Sequence, residues 1–200
     1  MRLKLKKQQR QCNVFIVCLL FFISISSAFA KGDVSKHQQI MAGLLLHLTS
    51  FTQWPEQSSE SINLCILGDD LFENYINDIA KRRSKSRSGK AIVISRSKNI
   101  TKASVDSCQM IYIAPKQLSQ LWDVLPEEHN ILLVSYSKNF IAQGGMINFV
   151  TDNKRVKLEV NLPAVLNAKL KLSSTLLKHA KIISGGPQPL SSEEKKNEGK

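Results

Sequence analysis

Three short apolar runs, residues 62–67, 109–114 and 130–135, carry almost no polar alternation, and this limits the fold more than any other feature of the chain. A strand that alternates polar and apolar residues can leave one face in water, whereas a strand without alternation must be covered on both. The sheet these runs build therefore needs helices above and below it. Between them lie helix-period stretches. Residues 71–83 place Leu71, Tyr75 and Ile79 inward, with Phe72 and Ile76 beside them, and residues 115–125 carry Leu118, Leu121, Trp122 and Leu125 before Pro126. Residues 91–95 form a further strand and residues 99–107 a short helix or turn. Strand and helix thus alternate with short connections, the pattern of a parallel sheet joined by right-handed crossovers.

Ahead of the sheet, Val34, His37, Ile40, Met41, Leu44, Leu45, Leu48 and Phe51 recur at three- and four-residue spacing. They predict an amphipathic helix capped by Asp33 and ended before Trp54-Pro55, because a residue preceding proline is driven out of the α region. Within it, His47 reads as a partly buried histidine. After the sheet, Val156, Leu158 and Val160 alternate with Lys157 and Glu159. That strand pairs with residues 146–150 across a five-residue loop, 151–155, as an antiparallel hairpin at the sheet's edge, where its charges discourage pairing with other chains. Asn161 and Pro163 open a last helix expected to run to about Ile183, and Gly185-Gly186-Pro187 stops it. The expected fold is α/β, a three-layer sandwich whose mostly parallel sheet is flanked by helices and ends in that hairpin.

Charge assigns the compartment. Residues 1–10 hold five cations and no acid, an unbroken apolar run covers residues 14–23, and Ala28-Phe29-Ala30 follows. This is the layout of a secretory signal, with cleavage expected after Ala30, and the run is too short to span a bilayer. Bulky Phe15-Ile16-Val17 before Cys18 argues against a lipoprotein. Removing residues 1–30 takes five of the 28 Lys and Arg and none of the 16 acids, so the exported chain carries +7. Six of its cations, Lys81, Arg82, Arg83, Lys85, Arg87 and Lys90, fall within residues 81–90. That local run reads as a solvated connection or as an electrostatic contact for an acidic partner or an anionic membrane. Nucleic acid is excluded as a partner by export and by the near neutrality of the rest. Residues 31–184 form one domain, and residues 185–200, polar throughout, are expected to be disordered.

Cys12 and Cys18 leave with the signal, so Cys65 and Cys108 remain. In an oxidising compartment an isolated pair reads as one disulfide, with two separate buried thiols as the alternative. No catalytic residue, cofactor or metal site is nominated. The four histidines are scattered, no HExxH, GxSxG, GxGxxG or Walker spacing exists, and no histidine stands near either cysteine. Asp69-Asp70 resembles the acidic pair of response-regulator receivers, yet Ala114-Pro115 stands where those need an acceptor aspartate; a turn that caps a helix is the simpler reading. Gly144-Gly145 reads as a turn or bulge before a strand.

Taken in order, Phe51-Thr52-Gln53-Trp54-Pro55, Leu64-Cys65-Ile66-Leu67-Gly68, Cys108-Gln109-Met110-Ile111-Tyr112-Ile113, Leu132-Leu133-Val134-Ser135 and Gly144-Gly145-Met146-Ile147-Asn148-Phe149 resemble the YfiR/HmsC-like family of periplasmic proteins. The resemblance covers residues 34–183. It implies a three-layer α/β fold, a disulfide between Cys65 and Cys108, and a non-enzymatic regulator that represses a membrane-bound diguanylate cyclase by binding its periplasmic sensor region. Cyclic di-GMP and biofilm formation would fall in consequence. Further partners under this reading are an outer-membrane or peptidoglycan-associated lipoprotein that sequesters the regulator, and a second copy in a homodimer. The second cysteine pair of some members is absent here. Candidate partner-binding residues are Trp54 and Pro55, Gly144 and Gly145, and Arg82 and Arg83 as an electrostatic guide, with Trp54 also readable as a lid on the core. The competing reading is a periplasmic small-ligand binding module using the crevice at the carboxyl ends of the strands.

Overall fold

A computed structural model describes residues 34–55, 61–86 and 90–183. The expected signal peptide, its cleavage after Ala30, the Asp33 cap and the C-terminal tail lie outside the described residues. Helix α1 (Lys36–Phe51) leads into β1 (Thr52–Gln53) and then β2 (Ser61–Leu67). Next come α2 (Glu73–Ser86), β3 (Ala91–Ser97), α3 (Lys102–Asp106) and β4 (Met110–Ile113). A 3-10 turn (Pro115–Gln117) enters α4 (Leu118–Val124), followed by β5 (Leu132–Ser135), β6 (Ile147–Asp152) and β7 (Arg155–Asn161). The chain closes with α5 (Leu162–Asn167), β8 (Lys171–Leu172), α6 (Ser174–Leu177) and β9 (Ala180–Ile183).

The main sheet has the order β3-β2-β4-β5-β6-β7-β9, parallel except where β6 meets β7. The chain begins in the middle, at β2, steps outward to β3, and then crosses back to β4, β5 and β6. Right-handed crossovers in opposite directions put α2 on one face and α3 and α4 on the other. Packing agrees: α1 lies against α2 and β7, and Phe72 meets Tyr112 edge to face at 4.8 Å beneath them. On the far side Trp122 of α4 stacks on Phe140, 6.2 Å between centroids. The three-layer α/β sandwich is therefore as expected, and β4 and β5 are buried along their whole length.

Several local expectations are corrected. Ser35 caps α1, in a capping box with Gln38. The buried face of α1 carries Met41, Ala42, Leu45, Leu46 and Leu48, while Ile40 is exposed and His47 sits outside, stacked on Phe51. Phe72, just before α2, and Ile76 and Ala80 within it are its most deeply buried positions, and the helix continues into the basic stretch as far as Ser86. The hairpin turn is Asn153-Lys154, both at positive φ, the two-residue geometry that fits strand twist better than a five-residue loop.

The long last helix does not form. Asn161 does cap α5 through Ala164 N–H and Pro163 lies in its first turn, but Lys169 turns left-handed (φ 58) while Leu170 N–H returns to Val165 O. That closure ends the helix. Lys171–Leu172 then pair antiparallel with Thr52–Gln53, and Ser173 caps a new short turn before β9. Tertiary pairing overrides helical periodicity here. As a result the hairpin is not the edge: β9 adds parallel to β7 outside it, and Lys181 reaches Glu159 at 3.1 Å.

Tyr112 is fully buried, and its hydroxyl has no hydrogen-bond partner among the described residues. Burial, with the Asp70 charge and Tyr136 adding, pushes its phenol well above the ordinary value. The folded state therefore keeps the proton where the unfolded chain, near pH 10, releases it, so stability is lost as pH rises past about 10. Tyr112→Phe is expected to be about 1 kcal/mol more stable to urea at neutral pH, with the gain widening at alkaline pH. A loss of stability at both pH values contradicts this.

Candidate functional site

Cys65 lies inside β2 and Cys108 just before β4, with Cα atoms 5.9 Å apart and the sulfurs joined. The pair therefore closes the β2–β4 junction, the place where the sheet changes direction of growth. Relative exposures of 1% for Cys65 and 4% for Cys108 leave no approach for a reductant while the domain is folded.

The remaining candidates converge on one end of the sheet, where the parallel strands begin. Trp54 is half-buried, and its indole Nε1–H donates to Gln109 O at 2.9 Å. The same carbonyl accepts Leu132 N–H at the start of β5, and Gln109 Oε1 accepts Asn63 N–H at 2.8 Å. Trp54 is thus a lid tied to the sheet, and Pro55 beside it is exposed. Gln109 is the hub that sequence reasoning missed; a lone amide opening an apolar strand was its only signal.

Gly144 and Gly145 enter β6 at this same end. Gly144 has φ 95, and Gly145 N–H donates to Phe140 O at 2.9 Å. A Cβ on Gly145 would fall 2.5 Å from the Phe140 ring. Both glycines are required by the turn, which supports the turn reading. Gly144 also borders a cleft of about 530 Å³ between the segment Glu128-His129-Asn130 and α5, whose Ala164 and Asn167 line the other wall. Ile131 N–H donates to His129 Nδ1 at 3.2 Å, and burial holds this imidazole below its ordinary pKa. Arg82 and Arg83 fall in the last turns of α2, which runs toward the start of β3, and Arg83 donates to Ser50 Oγ at 3.1 Å. All six partner-binding candidates therefore occupy the amino end, beside the small β1–β8 ladder.

The opposite end is closed. Asp70 Oδ1 accepts Phe72 N–H at 2.8 Å and Glu73 N–H at 3.2 Å, the expected turn and cap. Its Oδ2 pairs with Arg96 Nε at 2.7 Å, and Arg96 also reaches Glu73 O and Asn77. Gln117 packs over Gly68, where a Cβ would come within 2.5 Å of its amide oxygen. The crevice between the carboxyl ends of β2 and β4, the usual ligand position in such sheets, is therefore occupied by the Asp70–Arg96 pair and by Gln117, whose Oε1 is buried without a hydrogen-bond partner among the described residues. Among the described residues no group of three or more His, Cys, Asp or Glu could hold a metal ion.

Order of strands, direction of crossovers and the staple across the switch point define a disulfide-bridged, doubly wound α/β domain. Residues 38–181 match the YfiR/HmsC-like family, and the chain belongs to it. No curated protein matches the chain.

With 43 residues separating the two cysteines, the bridge is worth about 4 kcal/mol in the chain-entropy model. Replacing both by alanine should lower the urea midpoint by an amount equivalent to about 2–4 kcal/mol. In the native protein the bridge should survive millimolar dithiothreitol and be reduced only once urea unfolds the domain, as read by thiol labelling and mass. Rapid reduction without unfolding contradicts the structural assignment.

Proposed function

We propose that this protein is a periplasmic regulator that binds the sensor region of a membrane-bound diguanylate cyclase and represses it, lowering cyclic di-GMP and biofilm formation. Membership of the YfiR/HmsC-like family over residues 38–181 carries this reading. The signal-like first 30 residues and a disulfide suited to an oxidising compartment support export. The protein acts by binding rather than by turnover.

Repression has a physical requirement. The regulator must bind the inactive conformation of the cyclase more tightly than the active one, and each tenfold difference shifts that equilibrium by about 1.4 kcal/mol. The amino end of the sheet is the face assigned to this contact. It joins a half-buried aromatic with an exposed proline, a cleft, and the cationic end of α2, whereas the carboxyl end is knitted by its own ion pairs. Partners beyond the cyclase are a sequestering outer-membrane or peptidoglycan-associated lipoprotein and a second copy of the chain.

A second reading, small-ligand binding, is favoured by one observation: the cleft of about 530 Å³ has the size of a ligand site. A metabolite that raises the melting temperature through it would support that reading.

The regulator reading is tested by cellular cyclic di-GMP. Deletion is expected to raise it several-fold, with wild-type protein restoring it. No change on deletion, in cells shown to make the protein, sinks the proposal.

A further inference from the structure

Strand β3 (Ala91–Ser97) forms one border of the main sheet, and among the described residues it pairs only with β2. All seven of its residues keep an unbroken parallel register with β2, so its outer row of backbone N–H and C=O groups is continuous. Proteins commonly blunt such an edge with proline, a bulge, a very short strand or a charge on the edge. Here the one charge, Arg96, is turned back onto its own molecule, where it bonds Asp70, Glu73 O and Asn77. Side chains alternate along a strand, so Val93 lies on the face away from α2, and it is 49% exposed. The other border differs: β9 is four residues long and carries Lys181.

Beside β3, residues Glu73, Asn77 and Lys81 of α2 recur every four positions and so share one flank of the helix. Arg96 identifies that flank as the one toward β3, because it reaches Glu73 O at 2.7 Å and Asn77 Oδ1 at 3.2 Å. The opposite flank faces α1, where Arg83 donates to Ser50 Oγ. Glu73 and Lys81 are both exposed, and they stand about 12 Å apart along the helix with Asn77 midway. We infer that two copies of this chain join edge to edge, β3 antiparallel to β3 about a two-fold axis, with α2 lying along α2 of the second copy. An axis passing by Asn77 sets Glu73 of each copy against Lys81 of the other. In the strands, an axis at Ile94 sets Ile94 against itself, Val93 against Ser95 and Ile92 against Arg96, so no like charges meet. The order of charges selects the occupant. A foreign strand of either sign meets attraction at one end of the flank and repulsion at the other, whereas a second copy supplies both signs in the reversed order that a two-fold demands. This contact assigns a face to the second copy already proposed as a partner, and rests on nothing said of the cyclase. The amino ends of the two copies point in opposite directions, so both stay open.

The test is the size of the chain from Lys31 onward, by analytical ultracentrifugation over a range of concentrations, with hydrogen exchange of residues 91–97 measured at the two extremes. An equilibrium between monomer and dimer is expected, with β3 amides exchanging more slowly in the concentrated sample. Glu73→Lys and Lys81→Glu each place like charges at both symmetric contacts, and each should weaken the dimer on the order of tenfold at low salt. The double variant Glu73→Lys, Lys81→Glu should restore it to near the wild-type strength. A monomer at every concentration overturns the inference. So does a dimer that leaves β3 exchange unchanged, one indifferent to both single reversals, or one that the double reversal does not restore. The wild-type readings stand even if a variant misfolds. Cellular cyclic di-GMP on deletion is a separate readout, so either proposal can fail alone.

Discussion

The pairing of β2 with β4, locked by Cys65 and Cys108, is the junction on which the rest of the domain depends. Because the chain enters the sheet at its middle, every later parallel strand must be added to one side or the other, and the crossover must change sides with it. That change places α2 and α3 on opposite faces and buries β2, β4 and β5 from both. A bridge across the junction holds the two directions of growth together and removes entropy from the unfolded chain. The cost of its loss would be felt throughout the sheet rather than at a surface patch.

The two ends of this sheet have become different surfaces. At the carboxyl end, Asp70 caps a helix and binds Arg96, and Gln117 fills the space over Gly68, while Gln117 Oε1 and the Tyr112 hydroxyl stay buried without a hydrogen-bond partner among the described residues. At the amino end, backbone groups are gathered by Gln109 and Trp54, while Pro55 remains exposed and a cleft opens beside Gly144. A half-buried aromatic anchored by its own hydrogen bond offers contact area with little conformational entropy left to lose, a favourable property in a binding surface. The same anchoring makes Trp54 part of the core, so its structural and binding roles are not alternatives.

Much of the fold was legible because its signals were local. Unalternating runs marked the buried strands, α1 stopped before Trp54-Pro55, and Asp70 behaved as a cap. The edge was not legible. Asn161 and Pro163 correctly marked a helix start, yet Lys169 turns left-handed and Lys171–Leu172 pair with Thr52–Gln53, residues over a hundred positions away. Nor could spacing show that Trp54, Gly144 and Arg83 share one end, since only the strand order brings them there. Gly145 was readable as a turn, but the Phe140 ring that forbids a side chain lies five residues earlier in a connection without periodicity.

Photocrosslinking in cells tests most directly whether the amino end is the working face. A photoreactive residue would be placed at Pro55 or Asn167, and, for comparison, at Asn153 on the opposite hairpin turn. Adducts with a membrane-bound diguanylate cyclase from positions 55 and 167, and none from 153, are the result this account predicts. Adducts from 153 alone, or from none of the three while the protein is exported and folded, would contradict it.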